Sequence, residues 1–140
     1  MTAEVGSSVS TPMRLAERLF DHLAAGELDS AVALFAPTVD FAIPSAPDIP
    51  WIPRVRSAED MGEFFTLLRT ELDSKRFEVT KILADGEDAV VLGHLVSTVR
   101  STGRDIVTEF AIQLGVQDGL INRYRMYEDS WAVANAVRPA

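Results

Sequence analysis

The sequence predicts an α+β domain in which helical segments precede most of the strands. Three consecutive strand-like runs occupy residues 89–100, 104–116 and 119–128, and two short turns, Ser101-Thr102-Gly103 and Gln117-Asp118-Gly119, join them. Farther upstream, two longer segments repeat apolar residues at helical spacing. Helices followed by strands that pair with their sequence neighbours are typical of the α+β class.

The first helix is predicted between two strong signals, Pro12 at its start and Gly26 at its end. Its apolar positions share one face: Met13, Ala16, Leu19, Phe20 and Leu23. Residues 1–11 are small and polar, so we expect a disordered N-terminal tail there. Residues 12–137 are then expected to form a single domain, because no internal repeat or long linker divides them.

Two short elements and a loop are predicted next. Asp29 is a good N-cap for a second helix that would run through Phe35 and stop at Pro37. Residues Val39–Ile43 alternate in polarity and predict a first strand. Residues 44–53 contain four prolines and predict a loop, because proline breaks both helices and central strands.

A third helix is predicted after Ser57, which forms a capping arrangement with Asp60. Its apolar face is broad and consists of Met61, Phe64, Phe65, Leu68 and Leu72. Residues Phe77–Leu83 add a strand before the Asp85-Gly86 turn. The predicted order is therefore helix, helix, strand, helix and four strands.

Composition and charge argue against several classes of function. The net charge is −8 and the pI is near 4.7, whereas nucleic acids and anionic membranes attract basic surfaces. The chain shows no apolar run of about 20 residues and no signal peptide, so we expect a cytoplasmic protein without a membrane partner. With no cysteine and two histidines, nothing supports a metal site or another cofactor.

Alternation along the three C-terminal strands predicts one apolar and one polar face of the sheet. The apolar face collects Leu95, Ser97, Val99, Phe110, Ile112, Leu114, Tyr124, Met126 and Glu128. The polar face collects His94, Val96, Thr98, Arg100, Glu109, Gln113, Arg123 and Arg125. A carboxylate and a phenol at the end of an apolar row predict a ligand pocket, because buried polar groups require partners.

Two neighbouring carboxylates and one phenol are the candidate catalytic groups. Glu128 is the favoured acid or base, because apolar neighbours such as Met126 would raise its pKa toward the working range. Tyr124 would donate a hydrogen bond to a substrate oxygen. Asp129 takes the role of Glu128 if a one-residue bulge exchanges the two side chains. Alternatively, both carboxylates only solvate the end of the sheet.

Aromatic residues are the main candidates for substrate binding. Trp51, bracketed by Pro50 and Pro53, could stack over the pocket mouth or could plug the core and pin its loop to the third helix. The other expected lining residues are Phe41, Phe64, Ser97, Phe110 and Met126, although aromatic residues at such spacing also form ordinary core. His94 is expected at the surface or at a subunit contact.

Several local strings resemble the nuclear transport factor 2-like superfamily, particularly its SnoaL-like and ketosteroid isomerase-like branch. They are Ala24-Ala25-Gly26-Glu27-Leu28-Asp29, Ala33-Leu34-Phe35-Ala36, and the run from Asp118-Gly119-Leu120-Ile121 through Arg123-Tyr124-Arg125 to Tyr127-Glu128-Asp129. The resemblance covers nearly all of the chain after residue 11. It implies a cone-shaped, cystatin-like roll, with three N-terminal helices packed on a curved, mostly antiparallel sheet, a pocket at one end and a homodimer.

The catalytic residues of that superfamily do not carry over to this chain. In the steroid isomerase pattern an Asp at the end of the first strand moves a proton, while a Tyr and a second Asp stabilise the enolate. Those three positions hold Ile43, Leu19 and Ile112 here. The His and Asp of SnoaL-like cyclases fall near Ile112 and Met126, and the Asp-Arg-Asp group of limonene epoxide hydrolase has no inward counterpart.

Two functions from different classes remain. The first is a cofactor-independent acid-base enzyme of isomerase, cyclase or hydratase type, whose partner is a small, mostly apolar substrate such as a polyketide, terpenoid or steroid-like molecule. The second is a non-catalytic module of the same fold that binds a hydrophobic small molecule or dimerises. Polar Ser97, Tyr124 and Glu128 on the apolar face favour the enzyme, because their burial is costly unless they are hydrogen-bonded.

Overall fold

A computed structural model describes residues 10–139 of the chain. Its elements, in chain order, are α1 (Thr11–Ala25), α2 (Leu28–Val32), β1 (Phe35–Ala42), α3 (Ala58–Glu71), β2 (Leu72–Asp85), β3 (Asp88–Val99), β4 (Asp105–Gln117), β5 (Leu120–Glu128) and α4 (Ser130–Val137). Within residues 10–139, no helix is both long enough and apolar enough to cross a lipid bilayer. The α+β class expected from the sequence is confirmed.

The boundaries of α1 follow from its capping residues. The Ser10 hydroxyl accepts a hydrogen bond from the Met13 N–H at 3.3 Å, and Pro12 occupies the first turn. Gly26 ends the helix with a φ of 77°, a left-handed conformation that glycine adopts without strain. The predicted tail over residues 1–11 lies outside the described residues except for Ser10 and Thr11, which already form the start of α1.

The prediction for the second helix was wrong at both ends. The helix α2 has Glu27 rather than Asp29 at its N-cap, and Phe35 begins β1 instead of extending the helix. Phe35 pairs with the neighbouring strand, so tertiary pairing overrides the helical spacing of its apolar neighbours. Pro37 lies within β1, which is tolerated because β1 is an edge strand whose register shifts between Phe35 and Asp40.

The helix α3 begins as the sequence predicted. The Ser57 hydroxyl accepts a hydrogen bond from the Asp60 N–H at 3.1 Å, and the Asp60 carboxylate accepts one from the Arg56 N–H at 2.9 Å. The two bonds satisfy backbone donors that the first helical turn leaves free. The strand β2 begins at Leu72 without an intervening loop, so it is longer than predicted.

The five strands form one curved sheet in the order β1-β5-β4-β3-β2. The strand β1 runs parallel to β5, and the other pairs are antiparallel. The β3–β4 register is uninterrupted from Asp88–Gly115 to Thr98–Asp105, which confirms the predicted meander and its alternation. Helices α1 and α3 cover one face of the sheet, and the core between them includes Leu15, Leu19, Met61, Phe64, Phe65, Val91, Ile112 and Leu114.

The C-terminal helix α4 was not predicted. Asp129 is its N-cap, and the Asp129 carboxylate accepts a hydrogen bond from the Ala132 N–H at 3.0 Å. Val133 and Ala136 are buried, and the turn between β3 and β4 donates hydrogen bonds to carbonyl groups near the end of α4. Eight residues are too few for a clear helical pattern in the sequence, because tertiary contacts stabilise such a short helix.

Close contact between strands near Gly93 shapes one end of the sheet. Gly93 lies opposite Val79, next to a register shift in β2, and opposite Phe110 in β4. A Cβ atom at position 93 would collide with the Glu78 carbonyl oxygen and with the Phe110 ring. The absence of a side chain therefore lets the Phe110 ring lie over the strand and stack on Phe77, with 4.9 Å between ring centroids.

We expect Gly93→Ala to destabilise the protein by about 2 kcal/mol or more, because backbone or ring must move to admit the methyl group. Gly62→Ala is the matched control. Gly62 lies inside α3, and a Cβ there would meet only the Val32 side chain at 3.4 Å. The control should be neutral or stabilising by about 0.5–1 kcal/mol. Chemical denaturation of both variants measures the difference, and equal effects would contradict the close contact at Gly93.

Candidate functional site

A cavity of about 150 Å³ lies between the covered face of the sheet and helices α1 and α3. Its lining residues come from both helices, the loop after β1 and four strands: Phe20, Leu23, Ile43, Trp51, Phe64, Phe65, Leu68, Leu72, Ser74, Phe77, Leu95, Ser97, Ile106, Ile112, Tyr124, Met126 and Glu128. Most of these side chains are apolar. The few polar groups can therefore fix the orientation of a bound molecule.

A second space of about 480 Å³ adjoins this inner cavity. The two share Phe20, Leu23, Phe65, Leu68, Leu72, Ser74 and Phe77. The second space, which we call the outer groove, is bordered in addition by Ala24, Leu28, Arg69 and Arg100. Because they share these wall residues, the inner cavity and the outer groove lie directly next to each other.

Glu128 supplies a carboxyl group to the wall of the inner cavity. It ends β5, lies opposite Phe110 in β4, and makes no ion pair with any of residues 10–139. Burial among apolar side chains raises the pKa of Glu128 from 4.5 to about 7, because the charged carboxylate loses its hydration. The carboxyl group is therefore divided between its acid and base forms near neutral pH.

Tyr124 is held by two aromatic neighbours. Its ring stacks on Phe41 with 5.7 Å between centroids and meets the edge of Phe64 at 5.7 Å. The residue is buried, yet it lines the cavity, and its hydroxyl has no hydrogen-bond partner among the described residues. Burial and then the negative charge of Glu128 raise the pKa of Tyr124, so the phenol remains a neutral hydrogen-bond donor.

The structure brings together six of the sequence-predicted site residues around the inner cavity: Trp51, Phe64, Ser97, Tyr124, Met126 and Glu128. Trp51 is buried with 4% of its surface exposed and forms part of the wall beside α3. The Trp51 side chain therefore anchors the loop after β1 and also forms part of the cavity surface. Ser97 is also buried and lies opposite Ser74, so two hydroxyl groups face each other across β2 and β3.

Three other predicted site residues do not line the cavity. The Asp129 carboxylate is exposed and caps α4, because the β4–β5 register is regular where Phe110 faces Glu128. Phe41 supports the Tyr124 ring from behind. The Phe110 ring lies against Gly93, which has no side chain, and packs on Phe77. Each of these residues contacts the site through a neighbour rather than facing the cavity itself.

Sequence reasoning missed three lining residues whose positions depend on tertiary packing. Phe20 of α1 stacks on Phe77 of β2 with 5.7 Å between centroids, and the two rings border both spaces. Ser74 lies in the part of β2 that the sequence did not identify as strand. Its opposition to Ser97 could have been found only from the register of the two strands.

The opposite face of the sheet carries a separate charged cluster. Arg123 and Arg125 donate hydrogen bonds to the Asp40 carboxylate at 3.1 and 2.9 Å. Burial opposes ionisation of Asp40, but the bonds from Arg125 and Arg123 hold its pKa below the usual range. These groups lie outside the cavity.

In the part of the chain that the structure describes, no group of three or more acidic or histidine side chains is arranged to hold a metal ion.

We expect Glu128→Gln to stabilise the protein at about pH 8 by up to about 3 kcal/mol, because the amide carries no charge to desolvate. In the unfolded chain this carboxyl ionises near pH 4.5, whereas the folded protein retains the proton until about pH 7. Its contribution to stability is thus complete below pH 4.5 and is lost as the pH rises through about 7.

Denaturant unfolding of wild type and Glu128→Gln between about pH 4 and pH 8 measures this difference. Glu17→Gln is the control, since Glu17 is exposed on α1 and lines neither the inner cavity nor the outer groove. A stability gain for Glu128→Gln that is independent of pH would contradict the buried carboxyl group.

Comparisons with known proteins agree with the fold. No curated protein matches the sequence. An NTF2-like protein from Burkholderia xenovorans LB400 is 20% identical, with 91% of this chain and 96% of that chain covered at a TM-score of 0.82. A proposed isomerase from Rhodopseudomonas palustris is 16% identical over 91% and 95% of the two chains, with a TM-score of 0.73.

A third similar structure is an LEH-like epoxide hydrolase from M. tuberculosis, 14% identical over 93% of this chain and 91% of that chain, with a TM-score of 0.69. These likenesses establish the shared fold. The sequence model of the SnoaL-like domain matches residues 16–124, which include most of α1, the sheet through Tyr124 and nearly all of the cavity wall. The chain therefore belongs to the SnoaL-like domain family.

Proposed function

We propose that this protein is a cofactor-independent acid-base enzyme of isomerase, cyclase or hydratase type, acting on a small, mostly apolar substrate. The observation that carries the proposal is the half-buried Glu128 carboxyl group in the apolar cavity wall, which has no ion-pair partner among residues 10–139 and whose pKa is raised to about 7 by loss of hydration. A group with this pKa can both accept and return a proton at neutral pH. The proposal assigns the activity to the single domain at residues 12–137.

Proton transfer next to a carbonyl group illustrates the chemistry. The Glu128 carboxylate removes a proton from the carbon beside the carbonyl, and the carbon–hydrogen electron pair moves to make the enolate. The Tyr124 hydroxyl donates a hydrogen bond to the enolate oxygen, where negative charge develops. The neutral Glu128 carboxyl then gives the proton to a different carbon of a conjugated enolate, whose electron pair forms the new carbon–hydrogen bond. The carbonyl re-forms, the double bond has moved and the carboxylate is restored, which completes an isomerisation.

The size of the inner cavity limits the substrate. Its volume of about 150 Å³ is that of a cavity which holds a benzene-sized body, and it is smaller than typical ligand pockets. A polyketide, terpenoid or steroid-like molecule would therefore place one ring near Tyr124 and Glu128. The rest of such a molecule would extend past Ser74 into the outer groove.

Names of structural neighbours support this class of reaction. One neighbour is a proposed isomerase and another is an LEH-like epoxide hydrolase. The second candidate is a non-catalytic module that binds a hydrophobic small molecule. It is supported by apolar residues at the catalytic positions of the steroid isomerase pattern, namely Leu19, Ile43 and Ile112. Recovery of every bound substrate candidate unchanged would favour this alternative.

We expect the wild-type protein to accelerate exchange of the methyl protons of acetophenone with solvent deuterium, followed by nuclear magnetic resonance. The rate should rise with pH through about 7, because only the ionised Glu128 carboxyl accepts a proton. Glu128→Gln should lower the protein-dependent rate by about 100-fold or more, and Tyr124→Phe by about 10- to 100-fold.

Glu17→Gln, at an exposed position of α1 that lines neither the inner cavity nor the outer groove, is the matched control and should retain wild-type exchange. Full exchange activity in Glu128→Gln would remove Glu128 from the mechanism. Bound acetophenone without exchange in the wild type would favour the binding module.

The same proposal includes a homodimer that uses the outer face of the sheet. Val107 and Tyr127 on this face are 61% and 46% exposed. The buried His94 Nδ1 and Arg125 Nε atoms on the same face have no hydrogen-bond partner among residues 10–139. A second sheet packed there would cover the apolar groups and could satisfy both nitrogens.

We expect sedimentation velocity to show a dimer for the wild type and a monomer for Val107→Glu, because a buried unpaired carboxylate opposes association. Val107→Thr keeps the branched shape and should preserve the dimer. A wild-type monomer at high protein concentration would refute this part of the proposal.

A further inference from the structure

The outer groove combines apolar walls with two arginine side chains. Arg69 lies in the last turn of α3, and Arg100 follows the end of β3, so the two guanidinium groups border the groove from different elements. Neither forms an ion pair within the part of the chain that the structure describes. In a chain of net charge −8, two such cations at one opening form a local site for negative charge.

The side chain of each arginine donates a hydrogen bond to a backbone carbonyl group. Arg69 Nη2 donates a hydrogen bond to the Leu23 carbonyl at 3.2 Å, and Arg100 Nη2 donates one to the Arg69 carbonyl at 3.4 Å. A guanidinium group has five N–H donors, so both side chains retain donors for a ligand. The nearby Asp73 carboxylate is engaged by Lys75 at 2.8 Å and does not neutralise the pair by direct contact.

We propose that the site takes an amphipathic organic anion, with its apolar body in the inner cavity and its carboxylate between Arg69 and Arg100. This assignment deepens the proposed function and rests on the same site being a small-molecule site. Ser74 lines both spaces, so its hydroxyl stands where the ligand passes from the apolar cavity to the charged groove. Arginine binds carboxylates through paired hydrogen bonds, which favours this head group.

Electrostatics fixes the direction in which such a ligand enters. Glu128 lines only the inner cavity, whereas both arginines line only the outer groove. A carboxylate placed beside ionised Glu128 would meet a like charge in an apolar surrounding, which is unfavourable. The same carboxylate in the outer groove would meet two cations. The apolar end therefore faces Tyr124 and Glu128, and the charged end faces solvent.

The test compares hydrocinnamate with hydrocinnamyl alcohol, which share a phenyl body and differ in charge at the other end. Isothermal titration calorimetry of the wild type at about pH 8 and low salt should show roughly tenfold tighter binding of hydrocinnamate. Arg69→Gln and Arg100→Gln should each weaken hydrocinnamate binding by roughly fivefold, the range expected for an exposed ion pair, and should leave alcohol binding unchanged.

Two controls separate charge recognition from damage to the fold. Arg14→Gln removes an exposed arginine on α1 that lies in neither wall, and it should leave both affinities unchanged. In the wild type, raising sodium chloride from about 0.05 M to about 0.5 M should weaken hydrocinnamate binding but not alcohol binding, because salt screens charges. This measurement needs no variant and holds even if an arginine substitution impairs folding.

The proposal of an anion site would be overturned if the two probes bound with equal affinity. It would also be overturned if both arginine variants still bound hydrocinnamate more tightly than the alcohol. Failure of both probes to bind would overturn it as well. The proposed enzyme activity fails separately: if hydrocinnamate is preferred but the wild type exchanges no acetophenone protons, the anion site stands and the proton-transfer mechanism falls. If exchange occurs without charge preference, the mechanism stands and the anion site falls.

Discussion

Regular alternation along β3, most of β4 and the last residues of β5 determines which side chains reach the cavity. The β3–β4 register contains no shift, and the irregularity between β4 and β5 at Gly115 and Val116 precedes Tyr124, so the last residues of β5 keep a constant parity. A slip of one residue would turn Arg125 toward the helices and Glu128 away from them. Such a slip is unfavourable, because burial of an unpaired guanidinium group is costly. The observed register keeps the apolar side chains against α1 and α3 and the charged side chains on the other face.

The cavity exists because two small side chains and one displaced ring leave space in an otherwise filled core. Ser74 and Ser97 face each other in β2 and β3, where larger apolar residues would close the gap between sheet and helices. Phe110 could have filled part of this space, but Gly93 allows its ring to lie on the neighbouring strand and stack on Phe77. The same glycine that permits close strand contact thus keeps an aromatic ring out of the site.

Local patterns in the sequence predicted much of the fold, and their failures have physical causes. Pro12, Gly26 and Ser57 act within one helical turn of themselves, so their capping roles could be read directly. Phe35 could not be placed in the same way, because pairing of β1 with the distant β5 decides its conformation. Whether Ser74 lines the cavity depends on the register between β2 and β3, which local sequence does not reveal. Asp129 caps α4, a helix too short to give a recognisable sequence pattern.

Glu128 is difficult to explain as a structural residue. It is half-buried in the apolar wall of the inner cavity with no ion-pair partner among residues 10–139, and the loss of hydration there raises the pKa of its carboxyl group. An amide or an apolar side chain would fill a similar volume without this electrostatic cost. Tyr124 is comparable, since stacking on Phe41 accounts for its ring, whereas its hydroxyl has no hydrogen-bond partner among residues 10–139. A molecule with an acidic proton and an acceptor oxygen would give both polar groups a favourable partner in the cavity, and this is the kind of molecule on which the proposed acid-base enzyme would act.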